Sequence, residues 1–240
     1  MTTTISTSRP SSSNTVAEVA IAQAGGRHLQ IRCSTRDDGD FHRFDVPFAE
    51  LEARRRAFVD LPWIQLDERH GVGVVRVESP DAGDGASGDV AFTRLDGVVL
   101  GCWVGDCAPV VLVGAERQFA VVHAGWRGLA GGVIGAAIEA FDEPLVAAVL
   151  GPTIGPCCYE FGYADLCAVA RGVGAEPSQI SGATRDGTPA LDVSAAVQHA
   201  CGDVDLQMIG ACTGCRFPGF SHRVRRDPQR HVVAAWRPTP

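Results

Sequence analysis

Short apolar runs separated by polar or glycine-rich breaks dominate the chain. Residues 16–24 and 29–33 read as two strands around a turn at Gly25-Gly26. In residues 48–61 the apolar positions Phe48, Leu51, Phe58 and Leu61 recur with charges between them, a helical spacing. Residues 72–77 are β-branched and predict a strand, whereas "PDAGDGASGD" (80–89) has the composition of a flexible loop. A dense β region follows, with strands expected over 98–104, 109–113 and 119–122. Residues 126–141 read as one helix of small residues, and 145–150 as another strand. Helices are expected over 159–171 and 193–201, the second with Asp192 as its N-cap. Strands over 206–210 and 231–236 close the pattern.

Strands outnumber helices and short turns join many of them. The expected fold class is therefore α+β rather than a strict alternation of strand and helix. No internal repeat and no long linker divides the chain. Residues 1–15, rich in Ser and Thr, are expected to be a disordered polar tail, and residues 16–240 a single catalytic domain.

Composition narrows the function. The chain of 240 residues is 45% hydrophobic and 20% charged, enough for a sizeable core. No apolar run is long enough to span a bilayer, and the first residues lack a secretory apolar segment. The expectation is a cytoplasmic protein without a membrane partner. A net charge of −7 argues against a nucleic-acid surface. All 21 basic residues are arginine, which excludes a Schiff-base or P-loop lysine. The run Arg54–Arg56 reads as a solvated helix face. The nine cysteines of a cytoplasmic chain should be reduced, and most of those other than Cys157, Cys158, Cys212 and Cys215 should be small buried hydrophobes. Cys212-Thr-Gly-Cys215 and the adjacent Cys157-Cys158 could together form a four-cysteine zinc site. With no second C-x-x-C pair, that signal is weak.

Of the seven histidines, His28, His42, His199 and His231 lie in ordinary contexts. His70 and His123 do not. His70 precedes a glycine between two apolar segments. His123 ends a strand in "FAVVHAGWRG", and Cys107 begins the strand just before it. If the intervening turn centres on Ala115, with Gly114-Ala115-Glu116 as its loop, Cys107 and His123 face each other. A loop one residue shorter or longer would put them on opposite faces. With His70 they form a His, Cys, His set that leaves a fourth position of a zinc ion for water, whose pKa the metal would lower. A buried Cys–His contact without metal fits the same spacing. Gly125 lets the backbone bend, and the helix from Trp126 points its N-terminus toward the trio, where an anion is favoured. Arg127 adds a planar donor suited to phosphate, unless it is a surface residue. Arg36 and Arg223 are weaker candidates for the same pocket or for the substrate's other end. "GPTIGPCCYEFG" could form another wall.

The blocks "HGVGVVRV", "GDCAPVVLV", "VVHAGWRGL", "GPTIGPCCYEFG", "ACT" and "SHRVRRD" together resemble one family. It was once described as laccase-domain or multicopper polyphenol oxidases. It is now described as purine nucleoside phosphorylases with adenosine deaminase and methylthioadenosine phosphorylase side activities. The resemblance implies a β-sandwich of mixed sheets flanked by helices, with His70, Cys107 and His123 as metal ligands. It also implies a purine nucleoside and phosphate as substrates. The chain departs from the family pattern at Glu68-Arg69, where Gln-Val is usual, and in the short segment after Arg36.

The leading expectation is zinc-dependent phosphorolysis of purine nucleosides with adenosine deamination as a second activity. Copper-dependent phenol oxidation would need more imidazoles than seven scattered histidines supply, and a methionine ligand from only two. A metal-free hydrolase with Cys107 as nucleophile and His123 as base fits the same contact. A non-catalytic ligand-binding relic is motivated by the shortened segment.

Overall fold

A computed structural model describes residues 18–239. The expected tail, and the first two positions of the expected first strand, lie outside these residues. In chain order the elements begin with β1 (Glu18–Ala22), β2 (His28–Cys33), α1 (Phe48–Phe58), β3 (Trp63–Gln65), β4 (Val74–Val77) and β5 (Val90–Thr93). Next come β6 (Val99–Val104), β7 (Ala108–Gly114), β8 (Phe119–Ala124), α2 (Trp126–Gly131), α3 (Val133–Ile138) and β9 (Leu145–Leu150). The chain continues through α4 (Tyr163–Val173), β10 (Ser181–Ala183), β11 (Pro189–Leu191), α5 (Val193–Cys201), β12 (Leu206–Met208), α6 (His222–Arg225) and β13 (His231–Trp236).

β10 and β11 form a small two-stranded antiparallel sheet; of the two large sheets, one has the order β1-β2-β13-β6-β3 and the other β12-β9-β7-β8-β5-β4. Both large sheets are mixed: β3 joins β6 in parallel, and β4 and β12 join β5 and β9 in parallel. The period of two along each strand stacks the layers. On β13, Val233 and Ala235 face the space between the sheets, while Val232 and Ala234 pack toward Leu51 and Phe58 of α1. On β7, Val111 and Val113 face between the sheets, while Val110 and Leu112 meet the helices α2 to α5. The central strands are thus buried on both faces, which is why "PVVLV" is apolar without alternation. The result is the expected α+β sandwich with helices on both outer faces.

Several local expectations change. The helix expected over 126–141 breaks at Gly132, which takes the left-handed conformation (φ +84°) and caps α2 through Gly128 and Leu129. The helix expected from 159 starts at Tyr163, because a 3-10 turn at Pro156–Cys158 and a bridge from Glu160 to Ala190 occupy the preceding residues. The last short strand ends at Met208. The loop over 80–89 is anchored: the Asp84 carboxylate accepts the Gln65 N–H at 2.9 Å and pairs with Arg43 at 2.7 Å and Arg55 at 3.2 Å. Arg55 is consequently 1% exposed, not part of a solvated face. A buried guanidinium needs such partners.

Candidate metal centre

The β7–β8 hairpin decides whether Cys107 and His123 can meet. Ala108 pairs with Ala124 and Pro109 with His123, so Cys107, one residue before β7, is level with Gly125 rather than with His123. The loop is Ala115-Glu116-Arg117, closed by the Gly114 N–H donating to the Gln118 carbonyl at 2.8 Å. This corrects the expected loop by one residue, and the cause is non-local. The Glu143 carboxylate accepts the N–H groups of Glu116, Arg117 and Gln118, each at 2.9 Å. It occupies the space beside Gly114, where a Cβ would come within 2.1 Å of it. The loop still has three residues, so the register moves by two and the face is kept. Both side chains point toward the space between the sheets, at its end.

His70 joins them from the turn before β4. Its backbone is left-handed (φ +58°), a conformation that costs roughly 1–3 kcal/mol for a non-glycine residue. Asp89 holds it there. Its carboxylate accepts the N–H groups of Arg69 at 3.1 Å, His70 at 2.8 Å and Gly71 at 2.7 Å. The same carboxylate accepts the Nδ1–H of His123 at 2.8 Å. One buried acid therefore sets the turn that carries His70 and the tautomer of His123, leaving His123 Nε2 for another ligand.

The donor atoms of His70, Cys107 and His123 all lie within 4.8 Å of one another. Cys107 Sγ is 3.7 Å from His70 Nε2, and the two imidazole rings are 4.7 Å apart at 79°. Gly125 makes room for this: a Cβ there would lie 2.6 Å from His70 Cδ2 and 3.4 Å from Cys107 Sγ. The glycine after the strand-ending histidine is thus required by a side chain far away in sequence.

Electrostatics favour a cation at the trio. Burial alone would lower His123, but Glu68, the Cys107 thiolate and Asp89 hold it well above the usual imidazole range. Burial would raise Cys107, yet His123, through its charge and hydrogen bond, and then His70 lower the thiol to about 6. Glu68 is raised to about 7, mainly by burial, against the opposing charge of His123. Two imidazoles and an acidified thiol, backed by two carboxylates, fit a soft divalent ion with an open fourth position.

The trio floors a cleft of about 410 Å³. Arg127 and Arg223 line it as expected, Arg127 against the Trp126 ring at 4.4 Å and Arg223 against Tyr159 at 5.0 Å. Ile154 and Tyr159 make the "GPTIGPCCYEFG" block a wall, as expected. Arg36 is not among the lining residues. It pairs with Asp227 and donates to the Gly219 carbonyl at 3.0 Å. Asp106, also in the wall, receives the Thr213 hydroxyl and the Arg223 N–H, both at 2.6 Å. Sequence reasoning missed Glu68, Asp89 and Trp103, and it treated the lining residue His42 as ordinary. Asp89 ends a Gly/Asp-rich loop, where one more aspartate carries no signal. Tyr159 was legible only through its block.

Residues 40–237 match the family described as multi-copper polyphenol oxidoreductase laccase, and the chain belongs to that family. Its relatives carry a different enzyme name. The purine nucleoside phosphorylase of Xylella fastidiosa strain 9a5c is 35% identical over 193 residues, covering 71% of this chain and 70% of the relative. The purine nucleoside phosphorylase SCO2081 of Streptomyces coelicolor is 33% identical over 207 residues, covering 78% of this chain and 80% of its own. The fold is that of protein NMB0706 of Neisseria meningitidis, with a TM-score of 0.76 at 21% identity over 93% of this chain and 100% of that one. YlmD of Geobacillus stearothermophilus gives a TM-score of 0.74 at 22% identity, over 93% of this chain and 97% of that one. Among the described residues no helix is long and apolar enough to cross a membrane.

Proposed function

We propose that the chain is a zinc-dependent purine nucleoside phosphorylase of the cytoplasm. Its substrates are adenosine- or inosine-type nucleosides, with methylthioadenosine in its range and adenosine deamination as a second activity. The observation that carries this reading is the trio His70, Cys107 and His123 at the floor of a cleft whose walls hold Arg127 and Arg223. The names of the relatives support it.

The residues divide the work. The rings of Trp103 and Tyr159 offer flat apolar surfaces to a purine. Arg127 and Arg223 offer forked donors to phosphate. In phosphorolysis an oxygen of hydrogen phosphate bonds to C1′ of the ribose as the N-glycosidic bond breaks, and the proton that the phosphate gives up ends on the departing purine. The arginines hold the phosphate beside the sugar, which lowers the entropic part of the barrier. Asp89 keeps His123 in one tautomer throughout. When bound, zinc would supply a Lewis acid with one open position. Helix α2 has only six residues, so phosphate binding rests on the arginine side chains more than on a helix dipole.

Zinc is preferred to copper because Met208 is exposed on β12 and no methionine is among the residues lining the cleft. A second reading, a metal-free hydrolase using Cys107 and His123, draws on the lowered thiol. Base-release and phenol-oxidation assays on one preparation test all three. Phosphate-dependent release of purine base should be seen with as-purified enzyme and lost in a strong chelator. Base release that needs no phosphate and persists in chelator would favour the hydrolase. Phenol oxidation without phosphorolysis, with copper bound, would overturn the proposal.

A further inference from the structure

The weak four-cysteine signal of the sequence becomes a compact cluster in the fold. Cys157 and Cys158 lie on the 3-10 turn between β9 and α4, and Cys212 and Cys215 in the loop between β12 and α6. The two loops run side by side, with a bridge between Thr153 and Cys212 and the Thr213 N–H donating to the Thr153 carbonyl at 3.1 Å. All four sulfurs lie within 4.8 Å of one another. Cys157 Sγ is 3.7 Å from each of Cys158, Cys212 and Cys215.

That spacing discriminates between chemistries. Four thiolates at about 2.3 Å around one tetrahedral ion stand roughly 3.8 Å apart. A disulfide needs its sulfurs at about 2.0 Å, and all nine cysteines are free. An iron–sulfur cluster would push the sulfurs further apart, since its inorganic core must fit between them. The surroundings also suit a thiolate at Cys212. The Gly155 N–H points at Cys212 Sγ at 3.2 Å. A Cβ at Gly214 would come within 2.9 Å of Cys158 Cβ, so the Cys212–Cys215 turn closes this tightly only with glycine. Arg225, which also pairs with Asp227 at 2.9 Å, donates to the carbonyls of Thr213 at 3.0 Å and Gly214 at 3.3 Å and so braces the turn.

We propose that Cys157, Cys158, Cys212 and Cys215 bind one zinc ion in a closed tetrahedral site, separate from the His70 trio and independent of the function assigned to it. Four protein sulfurs leave no open position, so the ion is structural. It clamps the two loops that build one wall of the cleft. One loop carries Ile154 and Tyr159. The other holds Asp106 through Thr213 and leads into α6, where Arg223 also binds Asp106.

The test uses the full chain carrying Cys107→Ser, which removes a ligand of the other trio, reconstituted with zinc chloride under reducing conditions. The expected result is one tightly held equivalent of zinc. X-ray absorption should show four sulfur neighbours at about 2.3 Å. Stripping that ion should lower Tm by at least about 5 °C. Adding Cys212→Ser and Cys215→Ser should abolish the four-sulfur shell. Less than a tenth of an equivalent of zinc in Cys107→Ser would overturn the proposal. So would a shell rich in nitrogen or oxygen, mononuclear iron or an iron–sulfur chromophore in fresh protein, or a disulfide among the four. The zinc content and shell of Cys107→Ser decide the matter even if the triple variant fails to fold.

Discussion

Two thiol-bearing clusters among the described residues differ in ligand number, ligand type, setting and support. The His70–Cys107–His123 trio has three donors, mixed nitrogen and sulfur, at the floor of a cleft. Its supports are carboxylates: Asp89 fixes the turn of His70 and the ring of His123, and Glu68 lies 3.7 Å from His123 Nδ1. The cysteine cluster has four identical donors and packs between two loops. Its supports are the Gly155 N–H and an arginine on the loop carbonyls. Carboxylates tune the basicity and direction of an imidazole, which matters where chemistry occurs. A closed thiolate shell needs only its spacing. Ligand count and second partners, more than ligand type, separate the two roles proposed for them.

The largest effect expected concerns the trio. Cys107→Ala should cut phosphorolysis and deamination by about a thousandfold, the several kcal/mol that a catalytic metal supplies. Its Tm should stay within about 3 °C of the wild type, because one exchange at a cleft floor opens no core. Cys212→Ser should do the reverse, lowering Tm markedly while leaving measurable activity. Steady-state kinetics and calorimetry on the two variants check this. Equal losses of Tm would dissolve the contrast.

The carboxylate supports come next. Asp89→Asn keeps the size of the side chain but weakens its hold on His123 and on the His70 turn. Zinc affinity should fall about ten- to a hundredfold, read by competition with a chromophoric chelator. Unchanged affinity would mean that Asp89 merely builds the turn.

Gly125→Ala tests the same site by sterics alone. The new Cβ would sit 2.6 Å from His70 Cδ2, so the exposed ring must swing away. Zinc should be lost to a similar extent with all three ligands still present. A variant that binds zinc normally would show that His70 contributes little to binding.

Arg127→Ala separates phosphate from nucleoside. Loss of one charge-assisted pair costs roughly 1.5–3 kcal/mol, about ten- to a hundredfold in phosphate KM. Adenosine deamination, which uses water, should change much less. Equal losses in both reactions would remove Arg127 from phosphate binding. Arg36→Ala should have the smallest effect. Its guanidinium lies outside the cleft in a partly exposed pair with Asp227, so both KM values should stay within about threefold and stability within about 1 kcal/mol. A large rise in phosphate KM would return Arg36 to the site.

The architecture was legible along the chain because burial on a sheet imposes a period of two and burial on both faces erases it. "PVVLV" and "FAVV" were therefore legible as strands, and the polarity of their neighbours marked the turns. The trio was legible because imidazole and thiol side chains stood at strand ends beside glycines, where a side chain can reach a cleft. Length and glycine content, however, did not locate the break at Gly132 or the exact loop of the β7–β8 hairpin. Glu143 settles that loop through three hydrogen bonds from another part of the chain. Asp89 looked like one more loop aspartate until four donors converged on it. The four cysteines, 55 and 58 residues apart between Cys157 and its partners Cys212 and Cys215, met only when two loops were laid side by side. Periodicity records which face of an element is dry. It carries no record of which distant polar groups will share that space, because those partners are chosen by packing in three dimensions.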